Sequence, residues 1–282
     1  MCFDMSQDKE VYSGYLIESL LAQGPVTVVY SAIDMTSGLP CVIKTVRLDY
    51  PYEKQALAFL KNEIKILETI KHAACPVLLK TNTENKPYFF VMEKIDGCTL
   101  RHELGRKFSF GSSLVIEISR QILSLLSNLH GLGFTHGDIK PENIIIEQSG
   151  KIKVLDFAFS ANVRINEKLE TNLMLGTPNY IAPELCTEVP IISLENDIYS
   201  LGVLIFEMLT GSLPYPEGTI SQTLLRHQSD PPAKLRQQLE GLNPKLVNAI
   251  VEMLSFNLQD RPRAKNLVDI FVKFEIENMI SG

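Results

Sequence analysis

Two hydrophobic periods divide the chain. Between residues 15 and 93 the pattern is mostly that of strands, with one helix inserted. Residues 26–33 are dense in β-branched side chains, and after Thr36, Ser37 and Gly38 a second such run covers 40–46, which predicts a hairpin. Over 53–70, Leu57, Leu60, Ile64 and Leu67, with Phe59 and Ile66 one step over, follow the spacing of an amphipathic helix; Lys54, Lys61, Glu63 and Lys65 fall between them. A further hairpin is predicted across 77–80 and 88–93, turning at 82–86. Beyond Gly97 the period becomes helical: 112–132 carries Leu114, Ile118, Ile122, Leu125, Leu126 and Leu129, with Gly131 and Gly133 at its end. A short hairpin follows, 143–146 with 151–155, turning at 148–150. The most apolar run, 198–209, is interrupted by Glu207 and is shorter than the roughly 20 residues a bilayer requires, so it reads as a buried core helix. No repeat or low-complexity linker intervenes. The pattern predicts an α+β chain with a small β-rich lobe over about 11–93, a connector near 93–97 and a larger, mainly helical lobe over about 98–282.

Composition narrows the partners. The chain has 282 residues, enough for one large domain or two lobes with a sizeable core. A formal net charge of -6 and the lack of any long Lys/Arg run argue against nucleic acid or an anionic membrane as the main partner. Cys2, Cys41, Cys75, Cys98 and Cys186 are scattered without C-x-x-C pairing or zinc-ligand spacing, which predicts free thiols in a reducing compartment. The first ten residues carry acids and lack a basic start followed by an apolar run, so no signal peptide is expected and the predicted location is cytoplasmic.

The densest chemistry lies in His136-Gly137-Asp138-Ile139-Lys140-Pro141-Glu142-Asn143, followed by Asp156-Phe157-Ala158. A carboxylate, a nearby lysine, and an amide with a second carboxylate are the residue types needed for a substrate hydroxyl, a γ-phosphate and Mg²⁺. Lys44 ends an apolar strand pattern, and Glu63 on the following helix could keep a buried lysine charged. Further on stand Gly176-Thr177-Pro178-Asn179-Tyr180-Ile181-Ala182-Pro183-Glu184, Asn196-Asp197-Ile198-Tyr199-Ser200-Leu201-Gly202 and Asp260-Arg261-Pro262.

In this order, over nearly the whole chain, these motifs resemble the eukaryotic-like serine/threonine protein kinase family. The resemblance implies the bilobal protein-kinase fold, a single kinase domain over 11–282, and transfer of phosphate from ATP with Mg²⁺ to Ser/Thr of a protein substrate. It implies that Asp138 meets the substrate hydroxyl, Lys140 the γ-phosphate, and Asn143 and Asp156 the Mg²⁺. Lys44 would hold the α- and β-phosphates, oriented by Glu63. Gly24 would belong to the loop over the phosphates; Val29, Val42 and Ile145 would sandwich the adenine faces, with the backbone of Glu93 and Ile95 at its edge and Met92 as gatekeeper. Asp197 would support the catalytic loop, Arg261 would pair with Glu184, and Leu67, Phe157 and His136 would stack, with Leu78 as a fourth member.

The sequence also departs from that family. Ala22-Gln23-Gly24-Pro25-Val26-Thr27 keeps only the middle glycine of G-x-G-x-x-G, and Pro25 removes one backbone donor. Val42 stands where alanine is usual, and Ala158 where glycine is usual. Gly137 replaces an arginine that in the family receives an activation-loop phosphate, so activity is expected to be independent of phosphorylation at a residue such as Thr171. Two alternatives follow: a pseudokinase acting as a nucleotide-binding or scaffolding module, and a small-molecule kinase of the aminoglycoside or choline type, whose catalytic loop His-Gly-Asp also resembles.

Overall fold

The computed structural model describes residues 11–106, 109–164, 177–215, 218–229 and 235–281. They form two compact units: residues up to Thr69 together with Pro76–Ile95, and Ile70–Cys75 together with residues from Asp96 onwards. The α+β, bilobal class expected from the sequence is the observed one.

The first unit is an antiparallel sheet of six strands in the order β1-β2-β3-β4-β6-β5. They are β1 (Val11–Tyr12), β2 (Tyr15–Gln23), β3 (Thr27–Asp34), β4 (Pro40–Val46), β5 (Leu78–Asn82) and β6 (Phe89–Glu93), with helix α1 (Glu53–Thr69) between β4 and β5. The period of two sorts the central strands. Ala32, Cys41, Ile43, Phe89 and Val91 form one apolar cluster with Tyr15. The alternate residues Val29, Lys44 and Phe90 pair across strands, as do Val42 and Met92, and so share the other face. β2, which the sequence pattern did not single out, carries bulges near Ile17/Ser19 and Leu20/Ala22 and leaves Leu20 and Leu21 exposed, so its alternation is lost. α1 buries Ala56, Phe59, Leu60, Ile64, Ile66 and Leu67 as its spacing predicts. Glu63, expected to partner Lys44, is buried with them, whereas Lys54, Lys61 and Lys65 are exposed.

In the second unit a three-stranded sheet, β7 (Gly97–Thr99), β8 (Ile144–Glu147) and β9 (Ile152–Val154), lies among helices. Gly97 meets β8 so closely that a Cβ would stand 2.4 Å from the Ile146 carbonyl oxygen. The helices are α2 (Leu100–Arg106), α3 (Ser112–Leu132), α4 (Glu195–Thr210), α5 (Ile220–Ser229), α6 (Leu235–Gln238), α7 (Pro244–Met253) and α8 (Ala264–Ser281). α3 has the predicted bounds and packs on α8. α4 contains the apolar run and is buried along most of its length, Asp197 and Glu207 included. Ile70–Cys75 joins this unit through bonds to its carbonyls: Val154 N donates to Ala74 O and the Lys153 side-chain Nζ to Cys75 O. No helix among the described residues is long and apolar enough to cross a membrane.

Candidate active site

The loop from Thr135 to Lys140 follows α3, whose last turn supplies His130. Asp197, in the first turn of α4, is buried and acts as its anchor. Its carboxylate accepts from His136 N at 2.8 Å, from Gly137 N at 2.9 Å, and lies 2.9 Å from His130 Nε2. Burial alone would raise the Asp197 carboxyl, but the hydrogen bonds and the charges of the two histidines outweigh it and hold it below the ordinary aspartate range. His136 is wholly buried against Phe157, ring centroids 4.8 Å apart, and burial pushes its imidazole down.

This frame presents Asp138. Lys140 Nζ lies 2.6 Å from Asp138 Oδ2 and donates at 2.8 Å to Thr177 Oγ1, which donates at 2.9 Å to Asp138 Oδ1. Asn143, in a 3-10 turn begun by Pro141, donates through Nδ2 to the backbone oxygen of Asp138 at 2.9 Å and to its Oδ2 at 3.0 Å. Both bonds use the nitrogen, so the amide oxygen is turned away from Asp138 and is the end suited to a cation. Leu155 N donates to Asn143 O at 2.7 Å, which brings Asp156 alongside. Asp156 has φ 65°, and apart from glycine only Ser13 shares a positive φ among the described residues. An amide and a carboxylate oxygen are a fitting donor set for Mg²⁺, which completes its shell with water and phosphate oxygens.

The first unit holds its own polar pair. Lys44 Nζ donates to Glu63 Oε2 at 2.6 Å, and both side chains are almost fully buried. Such a pair persists because each charge compensates the other's lost hydration. On the same sheet face Val29 lies opposite Lys44 and Met92 opposite Val42. Glu93, at the end of β6, donates its backbone N–H to Val77 O at 3.0 Å. In the loop between β2 and β3, Gly24 N donates to Thr27 O at 2.9 Å, and the Gly24 carbonyl accepts from Arg47 Nη1 at 3.2 Å.

Residues 15–271 match the protein kinase domain family. The chain belongs to that family. It is 28% identical over 250 residues to the serine/threonine-protein kinase PknL of Mycobacterium bovis, covering 88% of this chain and 62% of that protein. It is 27% identical over 271 residues to the probable serine/threonine-protein kinase pknA2 of Bifidobacterium longum, covering 93% and 36% respectively. To the serine/threonine-protein kinase PrkC of Bacillus subtilis it is 29% identical over 229 residues, covering 81% and 35%. The chain thus spans about a third to two thirds of the length of these relatives.

Against the pattern of this kinase family, the departure at Gly137 has a structural cause. Gly137 has φ +86°, and a Cβ there would stand 2.5 Å from Phe159 O. Ala158 has no positive φ, so its methyl group meets no backbone penalty. Thr171 and Gly176 lie outside the described residues. Asp138, Lys140, Asn143 and Asp156 are gathered in the second unit with Ile145 on β8; Lys44, Glu63, Gly24, Val29, Val42, Glu93 and Ile95 belong to the first. Leu67 and Leu78 are also in the first unit, and His136 and Phe157 in the second.

Glu184 and Arg261 form a bidentate pair, Nη1 to Oε1 at 2.6 Å and Nη2 to Oε2 at 2.8 Å, with the guanidinium 4.8 Å from the Tyr199 ring centroid. Two participants had no assigned role from sequence. Thr177 was visible only as a motif letter, and nothing in its spacing told that it reaches back 39 residues to Asp138. Arg101 binds Glu142 Oε1 at 2.7 Å, Glu207 Oε1 at 2.7 Å and Tyr180 Oη at 2.6 Å, linking the catalytic loop to α4. A lone arginine early in α2 gave no signal of this.

Proposed function

We propose that this chain transfers the γ-phosphate of ATP, with Mg²⁺, to serine or threonine hydroxyls of protein substrates in the cytoplasm. The observation that carries the reading is the hydrogen-bonded set of Asp138, Lys140, Thr177 and Asn143, which fixes a carboxylate beside a cation and a metal-suited amide oxygen. Asp138 takes the proton of the acceptor hydroxyl as that oxygen bonds to the γ-phosphorus and the bond from phosphorus to the ADP oxygen breaks. Lys140 offsets the negative charge on the transferred group, and Thr177 orients both side chains.

Lys44, kept charged and oriented by Glu63, holds the α- and β-phosphates. Asn143 and Asp156 would hold Mg²⁺, which would neutralise negative charge on the phosphates. On the first unit, Val29 and Val42 would contact the adenine ring, the backbone of Glu93 and Ile95 would meet its edge, and Gly24 would lie over the phosphates.

One observation favours a second reading, a pseudokinase that binds nucleotide without transfer. Of the backbone donors in the phosphate loop, Pro25 has none, and the Gly24 N–H is already given to Thr27 O. The two readings separate on labelled ATP offered with Mg²⁺ to the protein and to a generic basic acceptor, beside Asp138→Asn and Lys44→Met. Incorporation into Ser or Thr by the parent, lost in both variants while each still melts cooperatively, is the expected result. Absence of transfer with a melting temperature raised by ATP supports the second reading. Neither transfer nor binding, with a range of divalent ions tried, defeats both.

A further inference from the structure

Among the described histidines, four rings are engaged. His72 lies against Ser124 Oγ, His130 against Asp197, His136 against Leu155 O, and His227 against Tyr199 Oη. His102 is exposed, and no described partner bonds its ring. Of the four described cysteines, Cys41 and Cys75 are buried, and the half-buried Cys186 donates Sγ–H to Ala182 O. Cys98 is the exposed one. These two side chains stand together, and Glu103 completes a group whose ligand atoms all lie within 4.8 Å of one another.

We propose that Cys98, His102 and Glu103 bind one thiophilic divalent cation of the zinc class. Thiolate, imidazole and carboxylate are the three ligand types Zn²⁺ takes, at about 2.0–2.3 Å each, which sets tetrahedral ligand atoms roughly 3.5 Å apart. Closing from 4.8 Å needs only rotation of two exposed side chains and one half-buried one. The Glu103 carboxylate is loosely held, its ion pair with Arg106 spanning 3.7 Å. Soft sulfur and borderline nitrogen select against Mg²⁺ and Ca²⁺, which prefer oxygen. Three protein ligands leave a fourth position for water.

The local fold explains why the spacing gave no signal. Cys98 lies in β7 and His102 in the first turn of α2, and the chain passes from strand to helix between them at Thr99 and Leu100. Thr99 Oγ1 accepts from His102 N, at 3.2 Å, fixing that first turn. The pattern is therefore C-x-x-x-H-E across a strand-helix junction rather than a finger-type pair of cysteines. Binding exchanges the Cys98 S–H bond for a sulfur-metal bond and releases one proton, so affinity rises with pH. It would tie α2 to β7, which pairs with β8 through Thr99 and Ile145. The group is separate from Asp138, Asn143 and Asp156, so its fate does not depend on the kinase reading.

The test uses the full chain stripped with chelator, then titrated with Zn²⁺ against a chromophoric competitor and, separately, with Co²⁺ as a spectroscopic probe. One equivalent of Zn²⁺ is expected, with affinity falling at least about ten-fold in Cys98→Ser and in His102→Ala. Co²⁺ is expected to give a thiolate-to-metal absorption band that Cys98→Ser abolishes and excess Mg²⁺ leaves intact. The altered side chains are at the surface, and thermal melting verifies that each variant is folded. Absence of the thiolate band, or Zn²⁺ binding unchanged in both variants, overturns the proposal.

Discussion

At Gly137 the backbone has φ +86°, and a Cβ would stand 2.5 Å from the Phe159 carbonyl oxygen. Its N–H is also one of the two main-chain donors to Asp197. A side chain therefore meets both a left-handed backbone penalty and a fixed carbonyl, neither of which a rotamer change relieves. Gly137→Ala is expected to lower unfolding free energy by about 1–3 kcal/mol, read from urea denaturation. Equal stability of variant and parent would refute this account of the loop. Gly137→Arg carries the same backbone cost, so restoring the family's arginine does not by itself restore a phosphate receptor. The substitution was legible in the sequence as a departure; its cause was not, because Phe159 lies 22 residues away and only the folded loop brings its carbonyl there.

Packing between elements governs the response to acid. His227 on α5 is buried against Tyr199 of α4, Oη to Nδ1 at 2.7 Å, and against the Tyr215 ring at 4.8 Å. Burial pushes its imidazole down to about 4, with the Pro178 backbone acting weakly the other way. An unfolded histidine titrates near 6.5. Between these values the unfolded chain binds the extra proton, so the contribution of neutral His227 is complete above about pH 6.5 and is lost as pH falls through about 4. The loss is on the order of 3 kcal/mol. His136, shifted in the same direction by burial, adds to it. The melting temperature is expected to fall between pH 7 and pH 4.5, and less steeply in His227→Gln; identical slopes would remove His227 from the explanation. At this scale much was legible. α3 and β4 have their predicted bounds, and α1 falls one residue short, because each is long or regular enough for its period to dominate. β2 and helices α5 to α8 were not read out; bulges break the alternation of β2, and α5, α6 and α7 span ten residues or fewer, a short window for a helical period.

For the molecule as a whole, the net charge of -6 sets a long-range preference. The resulting field attracts cations and repels anions, and salt screens it over about 10 Å at 0.1 M. If transfer to a basic protein proceeds as proposed, its KM is expected to rise as ionic strength goes from about 0.02 M to about 0.3 M, with kcat little changed. A KM independent of salt would argue that acceptors are chosen by contact alone. The sequence by itself determined the α+β class and the order of a β-rich and a helical unit, because periodicity is local, and its motifs named candidates for phosphoryl transfer through their resemblance to a family. Only the tertiary structure decided that Thr177 closes on Asp138 and Lys140, and that Arg101 ties Glu142 to Glu207 and Tyr180. Those contacts depend on register and on chain reversals, which bring together groups that no local pattern relates.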